Sequence, residues 1–204
     1  MWLKDRLNWK LVVDGFLEAY HLPILHPKTA GRLIRARPAP FEKFGQHGRM
    51  VAVRKSFEQY MDADVAEIDL LPHIAIVYQI FPNSILVWQG GHFEFWSASP
   101  ETSDPKFSAS RVSLMAPSAE QAKGRVEHWD KNWDVLMQTV EDEDFPIGRD
   151  IQKGFATGFQ DFVVFGRNES ALQHFHRTLH SELSKSEGGL SENSAADLEA
   201  TQLV

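Results

Sequence analysis

HIAIVYQIFPNSILVWQGGHFEFWSA (His73–Ala98) contains three runs of apolar, β-branched and aromatic residues separated by two short breaks, Pro82-Asn83-Ser84 and Gly90-Gly91. Such runs favour strands, while Pro-Asn and Gly-Gly favour reversals. The stretch therefore reads as three strands, His73–Phe81, Ile85–Gln89 and His92–Ala98, joined by two tight turns. Arg49–Lys55 before it and Lys106–Met115 (KFSASRVSLM) after it alternate over part of their length and extend the meander. Strands at such short spacing make an antiparallel sheet.

A sheet with one buried face needs a cover, and the flanking sequence supplies it as helices. Ala119–Val140 places Val126, Trp129, Trp133, Leu136 and Met137 at helical spacing, with Ser118 as its N-cap. A second helix starts near Pro146, because proline suits the first helical position. Phe162–Phe165 reads as a short strand and Glu169–Leu183 as an amphipathic helix. Towards the N-terminus, residues 5–22 read as a helix with Trp9, Val13, Phe16, Leu17 and Tyr20 on one stripe, ended by Pro23. Residues 27–48 contain three prolines and three glycines and read as an irregular excursion. The class is α+β, one domain over residues 1–186, and the polar remainder 187–204 reads as a disordered tail.

Composition excludes several functions. A net charge of −7 without a basic cluster argues against nucleic-acid binding. The 204 residues contain no Cys, so they hold no disulfide, no Cys-ligated zinc and no Cys-held iron–sulfur cluster. No apolar run is long enough to span a bilayer, and MWLKDRLNWK lacks the h-region of a signal peptide, so cytoplasm is the expected compartment.

Chemistry concentrates in NWKLVVDGFLEAYHLPILHP (Asn8–Pro27), where Glu18, His21 and His26 stand close together. Two imidazoles and one carboxylate on one face suit Fe(II) with open positions, and zinc is the chemical alternative. A HxxxxH pair alone is weak, since most histidines serve the surface or the core. The best source of a third ligand is VEDEDFPIG (Val140–Gly148), where Asp144 precedes Phe145-Pro146. An Asp there equally suits a helix cap. His174 and His176 with His180 form another cluster, but no acidic base lies between them in the manner of a zinc protease. His47, His73, His92 and His128 are isolated, and His73 and His92, on strands beside aromatics, are candidates to line the pocket.

The Asn8–Pro27 stretch, with Asn8-Trp9-Lys10, acidic Glu18, Tyr20-His21 and His26, resembles the iron-binding segment of Rieske-type aromatic ring-hydroxylating oxygenase α subunits. YQIFPNSILV (Tyr78–Val87), the run from Glu143-Asp144 through Gln152 and Gly154, and ESALQHFHRTL (Glu169–Leu179) resemble three further segments of that catalytic domain. The resemblance implies a helix-grip fold (START/SRPBCC-like) with an apolar tunnel. It implies mononuclear Fe(II) on His21, His26 and Asp144, the last preferred over Asp142 for its spacing to Gln152. Glu18 takes the acidic position that couples the iron-site histidine to a neighbouring subunit's Rieske domain.

The implied activity is O2-dependent hydroxylation or dihydroxylation of an apolar, aromatic small molecule, with Phe16, Leu17, Phe93 and Phe95 as pocket walls. The family's [2Fe–2S] domain needs Cys and is not in these residues, so electrons are expected from a separate Rieske protein or ferredoxin. The implied assembly is a homotrimer. The alternative is a non-catalytic helix-grip module for a hydrophobic ligand, or a truncated oxygenase fragment.

Overall fold

Among the described residues, seven antiparallel strands form one sheet in the order β1-β7-β6-β5-β4-β3-β2. They are β1 (Trp2–Asp5), β2 (Phe41–Phe44), β3 (His47–Val53), β4 (Ile74–Ile80), β5 (Ser84–Trp88), β6 (Phe93–Pro100) and β7 (Ser108–Met115). The computed structural model describes residues 1–118, 126–160 and 162–186. The three-strand stretch forms the hairpins β4–β5 and β5–β6, with Val77 opposite Val87 and Val87 opposite Glu94.

The pleat sorts side chains by parity. On β6, Glu94, Trp96 and Ala98 are buried, while Phe93 and Phe95 project from the opposite face and are half-buried. Ile85 and Val87 of β5 and Val112 of β7 join the buried face, which the helices cover.

The helices are α1 (Trp9–Gly15), α2 (Leu22–Leu25), α3 (Val126–Met137), α4 (Phe145–Ala156) and α5 (Ser170–Ser186). Asn8 starts α1, its side chain accepting the Lys10 N–H at 2.9 Å. Val12 and Val13 then face the core, and α1 packs on β6, β7 and α4. Phe16 lies against the Trp96 ring at 5.2 Å. From α5 comes Phe175, fully buried, with Trp9 edge-on at 6.3 Å and Phe81 at 6.4 Å. Truncating a buried Phe of this kind costs about 3–5 kcal/mol. Asp14 of α1 accepts a 2.8 Å hydrogen bond from His176 Nε2 of α5. Gln152 of α4 accepts from the Asn8 N–H at 2.7 Å and donates to the Arg6 carbonyl at 3.0 Å, pinning the turn into α1.

Several expectations need correction. The helix expected over residues 5–22 is two helices separated by a turn after Gly15, and its first residue belongs to β1. Pro23 does not stop a helix. It occupies the first turn of α2, where its missing N–H has no partner to lose. The excursion over 27–48 contains the edge strand β2 and the start of β3. Phe162–Phe165 forms no strand, and Phe162, Val163 and Val164 are exposed. Residues 119–125, with the capping expected of Ser118, and the tail 187–204 lie outside the described residues.

Candidate metal centre

The turn between α1 and α2 carries Glu18 and His21, His26 caps the far end of α2, and the Glu18 carboxylate holds the turn twice. One oxygen accepts the His21 backbone N–H at 3.1 Å and the other contacts His21 Nδ1. The opposite side of the site comes from the junction of α3 and α4. Residues Gln138–Asp144 there are wound as a π-helix, with the Phe145 N–H bonded to the Val140 carbonyl. Widened turns of this type re-aim side chains and recur at functional sites.

The widened turn gives neighbouring residues opposite edges of one imidazole. Glu143 Oε2 lies 2.6 Å from His26 Nδ1, and Asp144 Oδ1 lies 2.9 Å from His26 Nε2. Thr29 Oγ1 also donates to Glu143 Oε2 at 2.6 Å, fixing that carboxylate. Asp144 Oδ1 is 3.8 Å from His21 Nε2. Both histidines therefore bond a glutamate through Nδ1 and turn Nε2 towards Asp144. Outer carboxylates that fix the tautomer in this way are characteristic of metal-ligating histidines.

The residues fit a divalent metal by a second observation. His26 is fully buried, yet its Nε2 has no hydrogen-bond partner, because the approach of Asp144 Oδ1 lacks hydrogen-bond alignment. Buried imidazole nitrogens are normally satisfied, and a cation between Nε2 and the carboxylate would satisfy this one. Bonds of about 2 Å to a single ion bridge separations of 2.9 and 3.8 Å. Among the described residues, His21, His26 and Asp144 are the one group of three ligating side chains gathered closely enough to share an ion.

Protonation obeys two opposing influences at His26. Burial pushes its pKa down, but Asp144 and Glu143 outweigh it, so the net direction is up from 6.5. Tyr20, beside His21 in sequence, donates to Glu169 Oε1 at 2.7 Å, and that bond pushes its phenol up to about 12.

His21, His26, Asp144 and Glu18 line a cavity of about 790 Å³ between helices and sheet. Leu11, Phe16, Leu25, Met50, Val87 and Val140 supply apolar wall. Phe16 is thus where the sequence reading put it, whereas Leu17, Phe93 and Phe95 are not on the wall. Leu17 is packed in the core, and the parity of β6 sends both phenylalanines to the other face. Of the two strand histidines expected as candidates for the pocket, His92 lines the cavity, while sequence reasoning missed Glu143, Thr29 and the buried Glu94 beside His92 on the sheet wall. Glu143 stood next to Asp144 in a run of acids, and only the π-turn separates its role from theirs. His73 is engaged outside the cavity, with Ser56 and Tyr60.

The sequence matches the family model described as ring hydroxylating alpha subunit (catalytic domain) over residues 3–185. The chain belongs to that family. Several solved structures share the fold of this catalytic domain. One is a quaternary ammonium Rieske monooxygenase, reported with carnitine oxidation and inter-subunit electron transfer (13% identity, TM-score 0.59, covering 90% of this chain and 48% of that one). A second is dicamba monooxygenase bound to 3,6-dichlorosalicylic acid (9% identity, TM-score 0.59, covering 92% and 59%). A third is NdmA of Pseudomonas putida CBB5 with caffeine (16% identity, TM-score 0.57, covering 92% and 52%). The chain spans about half the length of these structures, and the likeness at such identities is one of fold. No match was found among curated proteins. Among the described residues no helix is long and apolar enough to cross a membrane.

Proposed function

We propose that this catalytic domain binds one Fe(II) through His21, His26 and Asp144 and hydroxylates or dihydroxylates an aromatic small molecule with O2. The observation that carries the reading is the paired carboxylate–imidazole arrangement on the wall of the cavity, with both Nε2 atoms turned to Asp144. Bound there, the metal supplies dioxygen activation.

The chain's own groups do the rest. Glu18 and Glu143 hold the Nδ1 protons of His21 and His26, which keeps each Nε2 free of a proton and aimed at the ion. The apolar residues around Phe16 and Val140 exclude water and hold a flat ring beside the site. Glu18, joined to the His21 ring, is the residue through which an external Rieske protein or ferredoxin couples electrons to the site. A homotrimer in the cytoplasm is the assembly that belongs with this reading.

The test is metal analysis of the purified protein with His21→Ala and Asp144→Ala beside it. About one iron per chain is expected in the wild type and loss in both variants. O2 uptake should follow when a ferredoxin or chemical reductant is added with an aromatic substrate. Iron retained by both variants would overturn the ligand set. Iron without O2 uptake would favour a binding module.

A further inference from the structure

The apolar cavity has a polar insert that the metal site does not use. Arg54 follows β3, Gln89 follows β5, His92 precedes β6 and Glu94 lies on it, and all four line the cavity. The parity that turned Phe93 and Phe95 away is the parity that turns Glu94 inward. His92 and Glu94 are each 5% exposed. Their side chains approach at 3.4 Å, Nε2 to Oε1, and His92 Nε2 still has no hydrogen-bond partner. Trp129 stands edge-on to the His92 ring at 5.5 Å and fixes its plane.

Arg54 Nη1 donates to the Gln89 carbonyl at 3.0 Å and to Gln89 Oε1 at 3.1 Å. A guanidinium has five donors and cannot shed its charge in a protein. Burial pushes the Arg54 pKa down, and the charge of Glu94 partly restores it, so the two groups feel one another across the cavity wall. A half-buried guanidinium, a buried carboxylate and an unpaired buried nitrogen are costly in an apolar cavity unless something there pairs with them.

Resting on the reading of this cavity as the substrate site, we propose that it selects an aromatic substrate bearing a neutral amide or lactam. The carbonyl is seated against Arg54, the N–H against Glu94, and His92 Nε2 completes the set. The charges of Arg54 and Glu94 offset one another, so a neutral group with adjacent acceptor and donor satisfies both. A carboxylate or an ammonium would leave one of these two charges uncompensated. A plain hydrocarbon would strip water from all of these groups and return no hydrogen bond.

The experiment is calorimetric titration of the full chain with 1-naphthamide, 1-ethylnaphthalene and 1-naphthoate, probes of nearly equal shape. The amide should bind at least about tenfold tighter than the hydrocarbon, the usual scale of a hydrogen bond to a buried charge, and tighter than the carboxylate. Arg54→Met should abolish the preference, Glu94→Gln should reduce it, and Asp142→Ala, at an exposed position off the cavity wall, should leave it intact. Thermal melts report whether each variant is folded, and the comparison of probes on the wild type needs no variant. Equal affinity for amide and hydrocarbon, tighter binding of the naphthoate, or a preference untouched by Arg54→Met and Glu94→Gln would overturn the proposal. Iron is measured in the same samples. Amide preference without iron leaves this inference standing and removes the oxygenase reading, whereas iron without amide preference does the reverse.

Discussion

Replacing Glu143 with alanine isolates the carboxylate that no ligand count would include. In the native protein its Oε2 bonds both His26 Nδ1 and Thr29 Oγ1 at 2.6 Å, and both partners are almost completely buried. Without it a buried imidazole N–H has no acceptor, which costs about 1–3 kcal/mol of stability in the metal-free protein. Loss of an outer carboxylate of this kind also weakens metal binding by about 10–100-fold, or about 1.4–2.7 kcal/mol. Glu143 raises the proton affinity of His26 as well, so its removal eases competition by protons. The affinity loss should therefore be larger at high pH, where protons do not compete, than at low pH. Glu143→Gln keeps an acceptor for Nδ1 and should stay near the lower end of the range, about tenfold. The assay is anaerobic Fe(II) titration against a competing chelator at two pH values, with thermal melts of the metal-free forms. Wild-type affinity in Glu143→Ala, beside weakened binding in Asp144→Ala, would refute the account of how His26 is oriented.

Acidification should release the metal, because ligation needs neutral imidazole and the His26 pKa is raised above 6.5 by its two carboxylates. The apparent affinity for iron should start to fall as pH drops through that raised value and fall further below it. In the metal-free protein the sign reverses: the stabilisation from charged His26 is fully present below 6.5 and lost as pH rises through the raised value, which melts across that range would read. Asp142→Ala should leave iron content and stability within about 0.5 kcal/mol of wild type, since Asp142 is exposed, while Asp144→Ala should lose the metal. Gly31→Ala should destabilise by about 1–3 kcal/mol or more in chemical denaturation, because a Cβ there would overlap the Leu22 carbonyl oxygen and lie 2.6 Å from that of His26. Asp14 is held above the usual carboxylate range by burial, with His176 opposing, so its ionised form weakens the fold as pH rises through that value. Asp14→Asn, which still accepts from His176, should match or exceed wild-type melting at neutral pH, and Asp14→Ala should lose about 1 kcal/mol.

The middle of the sheet was legible because β4, β5 and β6 carry their own signal of β-branched and aromatic residues between turn formers. The edges carried none. β1 has four residues and exists through its pairing with β7, and β2 (FEKF) has three exposed positions and no alternation. Phe162–Phe165 had a strand's composition but no neighbouring strand to pair with in the sheet order. Pro23 was misread because one residue type suits both the end of one helix and the first turn of the next. The histidines were legible through the motif around them, whereas Glu143 depended on a π-turn that no local propensity encodes. Phe93, Phe95 and Glu94 were a matter of strand parity, where a shift of one residue exchanges wall and exterior.

X-ray absorption at the iron edge of protein loaded anaerobically with Fe(II) tests the central claim most directly. The account predicts a first shell of two imidazole nitrogens with oxygen donors completing it, losing one imidazole in His21→Ala. A shell with no imidazole, or one unchanged in that variant, would contradict the assignment of His21, His26 and Asp144 as the metal centre.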